Sequence, residues 1–383
     1  MSLRDKIVAE IREGGAIPFS RYMELCLHDP EHGYYSRNAE RFGKAGDFYT
    51  SSDVHAVFGR LLARQFEEMW RVLGSPEKVE ILELGPGRGL FARDVLDWSE
   101  KKFPEFFRAV HYSLREWSGA LRERLRVTLE RHFAAGKASI PERIGGTSEA
   151  ASSRVPRIVF GNEFFDALPV EVVSPQGELR IGEKDGRLGE IWVPASAENL
   201  EYLDRYGVHP EDGERVEIGR MAQKYMTQLA ASIERGFVVA IDYGYTRAEQ
   251  LAGRHRGTVI TYRQHSASAN PYEAPGEQDI TAHVNFTALS AAAEEQDMQV
   301  QPLLTQSQFL MGIGEPNQFA DAFEDCRIPQ EHAKVALQLK HLVTPAGMGE
   351  SFHVLVASKG VAPEQVASLM GLSFGTRGAW DKK

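Results

Sequence analysis

The sequence predicts a doubly wound, Rossmann-like α/β fold, and two observations carry this prediction. Short apolar runs typical of buried strands alternate with segments whose apolar residues recur every three to four positions, as in amphipathic helices. One of these runs, residues 79–84, is followed at once by the glycine-rich turn Gly85-Pro-Gly-Arg-Gly89 and then by a helical pattern. Strands that alternate with helices form βαβ units, and such units build a parallel sheet.

The elements follow one another along the chain. Residues 4–13 and 53–73 predict amphipathic helices, of which the second carries a long apolar face. Buried strands are predicted at residues 79–84, 110–114, 157–160, 236–241 and 352–357. Two stretches interrupt the alternation: residues 171–216 predict inserted β-hairpins, and residues 263–350 predict an inserted helical and loop segment.

Three parts follow from this order. We expect an N-terminal helical and loop segment at residues 1–75 that covers the ligand site, a core at residues 76–360 that contains both insertions, and a C-terminal tail at residues 361–383.

Composition excludes several classes of protein. Of the 383 residues, 42% are hydrophobic and 26% are charged, which excludes wholesale disorder and allows a large core. The net charge of −10 disfavours a nucleic-acid binder that neutralises phosphates. The two cysteines, Cys26 and Cys326, form no CxxC pair, which argues against a cysteine zinc site and a disulfide framework. No cluster of histidines and acids has metal-ligand spacing, so we predict no metal.

Targeting signals are not evident in the sequence. The longest apolar runs, such as Phe237–Ile241, are far shorter than the ~20 residues that a membrane-spanning helix needs. The first residues lack both an apolar signal core and an Arg/Ser-rich, acid-poor leader. We therefore expect a reduced, cytoplasmic protein with no membrane insertion.

The glycine-rich turn indicates the class of ligand. A strand, a Gly-x-Gly-x-Gly turn and a helix together bring backbone N–H groups and a helix N-terminus close to a bound molecule. A dinucleotide site would have its third glycine at position 90, where Leu90 stands. The spacing of Gly85, Gly87 and Gly89 is instead typical of loops that bind S-adenosylmethionine. The alternative is a tight strand–helix turn without a ligand.

Two acids support the same cofactor. Glu83 precedes the turn, and we expect its carboxylate to face the ligand, where it would repel a pyrophosphate but attract a sulfonium and an ammonium group. Glu116 follows the second strand and can accept hydrogen bonds from both ribose hydroxyls. The sequence therefore predicts S-adenosylmethionine as the cofactor.

Nearly the whole chain, over residues 5–358, resembles the MidA family. The motifs that carry the resemblance, in order, are Tyr34-Tyr35, Gly46-Asp-Phe48 with Thr50, Phe58-Gly59, Glu83-Leu-Gly-Pro-Gly-Arg-Gly89, Asn162-Glu-Phe-Phe-Asp-Ala-Leu-Pro169, Asp242-Tyr-Gly244, Pro275-Gly276, Asp279-Ile-Thr-Ala-His-Val-Asn-Phe286 and Met348-Gly-Glu350. One departure is Ser51-Ser-Asp53, where family members commonly have Ala/Ser-Pro-Glu.

The resemblance implies a seven-strand methyltransferase core and S-adenosylmethionine-dependent methyl transfer. Mitochondrial members of the family methylate a protein arginine on a subunit of respiratory complex I and support its assembly. The resemblance thus implies a protein substrate, with a respiratory-complex subunit as one candidate. It does not imply the substrates of the bacterial members.

Asn162, Glu163 and Asp166 are the candidate residues around the methyl acceptor. They follow the strand at residues 157–160, at the carboxyl end where open α/β sheets bind ligands. A guanidinium acceptor stays charged at any working pH, and carboxylates can hold its flat fork. We expect Asn162 to border the cofactor, Glu163 to grip the acceptor and Asp166 to act as a second acid. The alternative is that both acids only charge the first turn of a helix.

Further candidates have weaker support. Asp47 lies in the glycine-flanked loop 46–50 and is predicted to act from a lid over the cofactor, although a structural Asx turn is the alternative. Asp242 is equally consistent with ligand binding and with turn formation. Tyr34 and Tyr35 can line an acceptor channel or pack, and His283 fits a structural residue better than a base.

Competing functions remain open at this level. A small-molecule methyltransferase would use the same core, and an assembly or binding protein would keep the cofactor fold without turnover. The insertions favour a macromolecular acceptor because they add surface around the cofactor site. A nicotinamide oxidoreductase is the weakest alternative because of Leu90. The sequence does not determine the oligomeric state.

Overall fold

The computed structural model describes residues 1–37, 56–141, 155–252, 257–263, 266–268 and 270–377. Its strands, in chain order, are β1 (Ile17–Pro18), β2 (Val79–Leu84), β3 (Val110–Arg115), β4 (Ala138–Ser139), β5 (Arg157–Asn162), β6 (Glu171–Ser174), β7 (Gly177–Lys184), β8 (Arg187–Val193), β9 (Val216–Ile218), β10 (Gly236–Tyr245), β11 (Ile260–Arg263), β12 (Ser266–Ser268), β13 (Asp279–Thr281), β14 (Val284–Asn285), β15 (Gln299–Val300), β16 (Leu304–Thr305) and β17 (Phe352–Lys359).

The α-helices span Leu3–Gly14, Phe19–His28, Tyr34–Arg37, Ala56–Val72, Leu90–Lys102, Pro104–Ala109, Gly119–Thr128, Glu130–Ala134, Ala197–Tyr206, Arg220–Ala231, Arg247–Ala252, Phe286–Glu294, Gln306–Gly314, Ala320–Phe323, Pro329–Val343, Pro363–Ala367 and Met370–Arg377. A 3₁₀ turn at Glu315–Asn317 joins two of them. The strands predicted at residues 79–84, 110–114, 157–160, 236–241 and 352–357 are confirmed as β2, β3, β5, β10 and β17.

The central sheet has the order β15-β17-β10-β5-β2-β3-β4. Strands β10, β5, β2, β3 and β4 run parallel, and β17 runs antiparallel to β10. The chain moves outward from β2 through β3 to β4 and then returns to β5 on the other side of β2. The strand order therefore reverses between β2 and β5, which confirms the doubly wound fold. Such a reversal opens a crevice at the carboxyl ends of the two strands.

Apolar side chains cover both faces of this sheet. On one face the helices Ala56–Val72 and Leu90–Lys102 bring Phe66 and Phe91 onto Phe160 of β5, and the rings of Phe91 and Phe160 stack with centroids 4.5 Å apart. On the other face the helices Arg220–Ala231 and Phe286–Glu294 share an apolar cluster with Leu82 of β2. A strand buried on both faces reads as a continuous apolar run, which explains why these strands were visible in the sequence.

A second sheet, of order β1-β7-β6-β9 with β8 paired to β7, joins strands of the first inserted segment to β1 of the N-terminal segment. The predicted hairpins are present as the antiparallel pairs β6–β7 and β7–β8, and the segment also contains the helix Ala197–Tyr206. The N-terminal helices bury Ile7, Tyr22 and Tyr34 in a cluster with Ile181 of β7 and Ile280 of β13. The N-terminal segment and both insertions are thus joined by one apolar cluster. The division of the chain into segment, core and tail stays an interpretation.

None of the helices in the described ranges is both long enough and apolar enough to cross a membrane.

Candidate active site

A cavity of about 1580 Å³ lies at the point where the strand order reverses. Its wall includes the turn after β2, the residues that follow β3 and the residues that follow β5, together with Tyr35 from the N-terminal segment and Asp279 of β13. The carboxyl ends of parallel strands meet at one edge of the sheet, so the loops that follow them converge there. The cavity therefore joins the predicted cofactor turn to the predicted acceptor acids.

The glycine turn needs glycine at each of its three positions, for different reasons. Gly85, Gly87 and Gly89 all have positive φ, at 61°, 52° and 74°, where side chains are strained. A Cβ on Gly89 would lie 2.6 Å from Leu125, so this glycine allows the helix Gly119–Thr128 to approach. A Cβ on Gly87 would meet no described atom within 4 Å, and Gly87 lines the cavity. The space beside the Cα of Gly87 is thus open to a ligand.

Glu116 is held beside this turn. It directly follows β3, lines the cavity and is buried, and its Oε1 accepts a 2.9 Å hydrogen bond from the backbone N–H of Ser118. Burial raises the pKa of Glu116 to about 7, although hydrogen bonds from the backbone N–H groups of Ser118, Trp117 and Gly87 oppose the shift. The Gly87 bond joins the acid to the glycine turn, and the role of Glu116 in binding the ribose stays a prediction.

Glu83 was expected to face the ligand, and the structure shows it buried within the sheet. It is not among the described residues that line the cavity, whereas its neighbour Leu82 is. Successive side chains of a strand point to opposite faces, so Glu83 and Leu82 lie on different faces of the sheet. Its Oε2 accepts a 2.9 Å hydrogen bond from the hydroxyl of Tyr112, and burial raises its pKa to about 8. The structure thus places Glu83 within the sheet as a partner of Tyr112, and its contact with the cofactor stays a prediction.

Asn162 and Glu163 form the corner at the end of β5. The Nδ2 of Asn162 donates a 3.0 Å hydrogen bond to Oε1 of Glu163, while its buried Oδ1 has no partner among the described residues. Glu163 has a φ of 51°, which is uncommon for a residue other than glycine. Its backbone N–H donates to the carbonyl of Ile241 at 2.9 Å. Both side chains line the cavity, and strained backbone of this kind is concentrated at functional sites.

Asp242 holds the turn that follows this corner. Its Oδ2 accepts hydrogen bonds from the backbone N–H groups of Phe164, Phe165 and Asp166 at 3.2, 2.9 and 3.4 Å. It is buried and is not among the described residues of the cavity wall, and burial raises its pKa to about 8. Of the two interpretations that the sequence left open, the geometry favours turn formation.

Asp166 is the buried acid of the cavity wall. It is 6% exposed, it lines the cavity, and its Oδ1 has no hydrogen-bond partner among the described residues. Burial raises the pKa of Asp166 well above its usual range, and the negative charges of Asp242 and Asp279 raise it further. A cation in the cavity would attract the ionised carboxylate of Asp166 and so lower its pKa. Asp166 is therefore a fitting partner for a positively charged ligand.

The remaining predicted residues have mixed outcomes. Asp47 lies outside the described residues, so its lid role stays a prediction. Tyr35 lines the cavity, whereas Tyr34 is buried in the N-terminal cluster. His283 also lines the cavity and is exposed, with its ring parallel to that of Tyr243. A role for His283 as a base stays untested.

Several cavity residues were not singled out from the sequence. They are Trp117, which follows Glu116 and is 49% exposed, Tyr243, Tyr262 and the acid Asp279. The sequence offered a pattern for two of them. Tyr243 directly follows Asp242 at the end of a predicted strand, and Asp279 is the first residue of one of the motifs that resemble the MidA family. Nothing in the sequence marks Tyr262. In the described part of the chain, no three acid, imidazole or thiol groups converge to hold a metal ion.

Together the fold and the cavity define a class of protein. A doubly wound sheet with an antiparallel last strand, a Gly-x-Gly-x-Gly turn after its first core strand and an acid after its second are the features of an S-adenosylmethionine-dependent methyltransferase. Residues 61–303 match the model of methyltransferase family 28, described as S-adenosyl-L-methionine-dependent methyltransferases. The match covers more than half of the chain, and the chain belongs to this family.

Relatives and a solved structure agree with this assignment. "Protein arginine methyltransferase NDUFAF7 homolog, mitochondrial" of Drosophila melanogaster is 28% identical, over 94% of this chain and 85% of the relative. "Protein arginine methyltransferase NDUFAF7, mitochondrial" of Homo sapiens is 25% identical, over 91% and 81%. A protein from Burkholderia thailandensis, named as a "likely methyl transferase" and solved with S-adenosyl-homocysteine bound, has a TM-score of 0.81 and 28% identity, over 97% of this chain and 94% of that one. The resemblance to the MidA family is confirmed.

The residues present fit S-adenosylmethionine. The open space beside the Cα of Gly87, the adjacent carboxylate of Glu116 and the unpartnered Oδ1 of Asn162 all belong to one cavity. An orphaned acceptor such as Asn162 Oδ1 is costly to bury without a donor, and the ammonium or hydroxyl groups of this cofactor are donors. The cofactor, when bound, supplies an electrophilic methyl group, and the protein supplies position and exclusion of water.

Proposed function

We propose that this protein transfers a methyl group from S-adenosylmethionine to a guanidinium nitrogen of an arginine side chain in a protein. One observation carries the proposal: the cavity that contains the glycine turn and Glu116 also contains the acids Glu163 and Asp166. The names of the relatives, which are protein arginine methyltransferases, support it.

The acids suit a guanidinium for electrostatic reasons. A guanidinium carries five N–H donors in a fixed plane, so carboxylates beside it can set the direction of each nitrogen. Asp166 has a raised pKa because it is buried near other acids, and a bound cation would stabilise its ionised form. Glu163, at the corner after β5, is hydrogen-bonded to Asn162, which is the predicted border of the cofactor. In the proposal Glu163 grips the acceptor and Asp166 completes its charge balance.

A protein acceptor is the finer part of the proposal. The second sheet and the segment around β13 add surface beside the cavity, which suits a macromolecular substrate. We further propose a respiratory-complex subunit as the acceptor, on the strength of the family resemblance. The relatives are named as mitochondrial, and a cytoplasmic location of this protein stays a prediction.

The variant Glu163→Gln tests the proposal. Glutamine keeps the shape of the side chain but removes the charge and the bidentate carboxylate. Methyl transfer to arginine-containing proteins should fall by about two orders of magnitude, the scale of losing a positioned electrostatic group, while the Kd for S-adenosylmethionine stays within a few-fold. Radiolabelled methyl transfer and calorimetry measure the two quantities.

The control is Glu13→Gln, an exposed acid in the first helix, which should behave as the parent does. Full rescue of a deletion strain by Glu163→Gln would contradict catalysis through this residue and favour an assembly protein with little turnover. Methylation of small guanidino compounds, with no methylated protein detected by mass spectrometry, would favour a small-molecule methyltransferase.

A further inference from the structure

Asp279 is a second buried acid on the cavity wall. It comes from a different part of the chain than the turn after β5. It is the first residue of β13, in the second inserted segment, and it is 1% exposed. It lines the same cavity as Asp166 and is close enough to raise the pKa of that residue. Burying a carboxylate costs free energy unless partners compensate it. A cation in the cavity would therefore stabilise the ionised forms of both acids.

Tyr35 fixes the position of Asp279. Its hydroxyl donates a 2.9 Å hydrogen bond to Oδ1 of Asp279, across 244 positions of the chain. Tyr35 itself packs against the rings of Tyr34 and His28, with centroids 5.4 and 5.5 Å away. The N-terminal segment thereby holds an acid that belongs to the second insertion.

A backbone hydrogen bond joins the two acidic elements. The N–H of Ala282, directly after β13, donates to the carbonyl of Asp166 at 3.0 Å. Ala282 and Ile280 are buried in the N-terminal cluster, so β13 cannot move away from Asp166 without opening that cluster. The separation of Asp166 and Asp279 is thus set by the main chain and not by flexible side chains.

We propose that Asp279 and Asp166 form a two-sided seat for the acceptor guanidinium, with Tyr35 as the positioning residue that holds Asp279. The unpartnered, buried Oδ1 of Asp166 is the open position in this seat. Two carboxylates on separate elements match a planar cation with several N–H donors better than the single compact charge of an ammonium group. This inference rests on the proposed function, because it takes arginine as the acceptor.

The seat also makes the choice of substrate depend on three segments that are far apart in the sequence. Tyr35 comes from the N-terminal segment, Asp166 from the turn after β5, and Asp279 from the second insertion. Because the fold already holds the two acids in place, they need little further ordering when the acceptor binds. We therefore expect discrimination between guanidinium and ammonium to depend on Asp279 and Tyr35, and cofactor binding to be independent of them.

A pair of probes with one alkyl chain, n-butylguanidine and n-butylamine, tests the seat without any need for turnover. Calorimetric titration of the full chain with S-adenosylhomocysteine present should show tighter binding of n-butylguanidine. Asp279→Asn should weaken that binding by roughly ten- to a hundredfold, as expected for a lost charge-assisted hydrogen bond, and should abolish the preference. The Kd of S-adenosylhomocysteine should stay within about twofold of the parent.

Tyr35→Phe is the second variant, since it keeps the ring packing and removes only the hydroxyl. With an arginine-containing peptide, KM should rise by roughly three- to tenfold while kcat stays near the parent value, because the hydroxyl that positions the Asp279 carboxylate is lost. Asp212→Asn, at an exposed acid, is the matched control and should change neither KM nor the probe preference.

The outcomes separate two failures. If the parent prefers n-butylguanidine and both Asp279→Asn and Tyr35→Phe keep that preference and the parent KM, the seat is wrong while arginine methylation stands. If the parent neither prefers n-butylguanidine nor methylates arginine peptides, the proposed function and the seat are both overturned. Thermal melting of each variant, with and without S-adenosylhomocysteine, shows whether the fold is intact.

Discussion

The carboxylate of Asp242 at the end of β10 accepts a 2.9 Å hydrogen bond from the backbone N–H of Phe165 in the turn after β5. The two residues belong to neighbouring parallel strands of the sheet and to the loops that follow them. This bond, with the parallel bonds to Phe164 and Asp166, fixes the backbone between Glu163 and Asp166. An acid outside the cavity thus determines where the two cavity acids point.

The Asp242 bonds predict a large difference between two substitutions. Asp242→Ala leaves three buried N–H groups without an acceptor, and each such loss costs roughly 1–3 kcal/mol. We expect the free energy of unfolding to fall by about 3 kcal/mol or more, and methyl transfer to fall with it. Asp242→Asn keeps one acceptor oxygen and should lose less stability. Urea unfolding measures both, and an unchanged stability of Asp242→Ala would show that the turn does not depend on this carboxylate.

Gly87 predicts the effect of a side chain on cofactor binding. Its φ of 52° strains any other residue, and a Cβ there would project into the cavity. Gly87→Val should therefore remove detectable binding of S-adenosylmethionine, whereas NAD should bind neither protein. Calorimetry measures binding, and the melting temperature without ligand shows whether the variant folds. Normal affinity of a folded Gly87→Val variant would place the cofactor elsewhere.

The position of Glu116 predicts that its substitution weakens the binding of S-adenosylmethionine. If its carboxylate binds the ribose hydroxyls, the hydrogen bonds to this charged acceptor contribute roughly 1.5–3 kcal/mol. Glu116→Ala should then weaken S-adenosylmethionine binding by about ten- to a hundredfold. Because this variant also frees the backbone N–H groups of Ser118 and Gly87, Glu116→Gln is the better control for local structure. Unchanged affinity in a folded variant would assign the ribose to another group.

The raised pKa of Glu83 predicts how the stability of the folded protein depends on pH. Burial raises its pKa from 4.5 to about 8 in the folded protein, so the folded state holds its proton more tightly than the unfolded state does. Its contribution to stability is full below pH 4.5 and is lost as the pH rises through about 8. Asp242 and Glu116, with pKa values raised to about 8 and about 7, act in the same direction.

The difference between the parent and Glu83→Gln isolates this effect. Glutamine stays uncharged and can still accept from Tyr112, so the variant should lose less stability than the parent between pH 5 and 8. The difference should be on the order of 1 kcal/mol or more, since one pKa unit corresponds to about 1.4 kcal/mol. Chemical unfolding of the ligand-free protein at several pH values measures it. Parallel stability curves would show that Glu83 is not titrating in this range.

The order of the core elements was accessible from the sequence because its signals are local. A strand buried on both faces is a continuous apolar run, and a glycine turn between strand and helix occupies five consecutive residues, Gly85 to Gly89. Glu116, Asn162 and Glu163 could be placed for the same reason: each directly follows or ends a recognisable strand. The carboxyl ends of neighbouring parallel strands must meet at one edge.

The directions of side chains and the pairing of distant segments were decided only by the tertiary structure. Glu83 alternates with Leu82, and which of the two faces the cavity depends on the side of the sheet on which the crevice opens. The bond between Tyr35 and Asp279 spans 244 positions, and the turn bonded to Asp242 belongs to another strand. A single sequence carries no local pattern for such contacts. They form because the apolar cores on the sheet and under the N-terminal helices bring these segments together, and the polar groups then pair where they are buried.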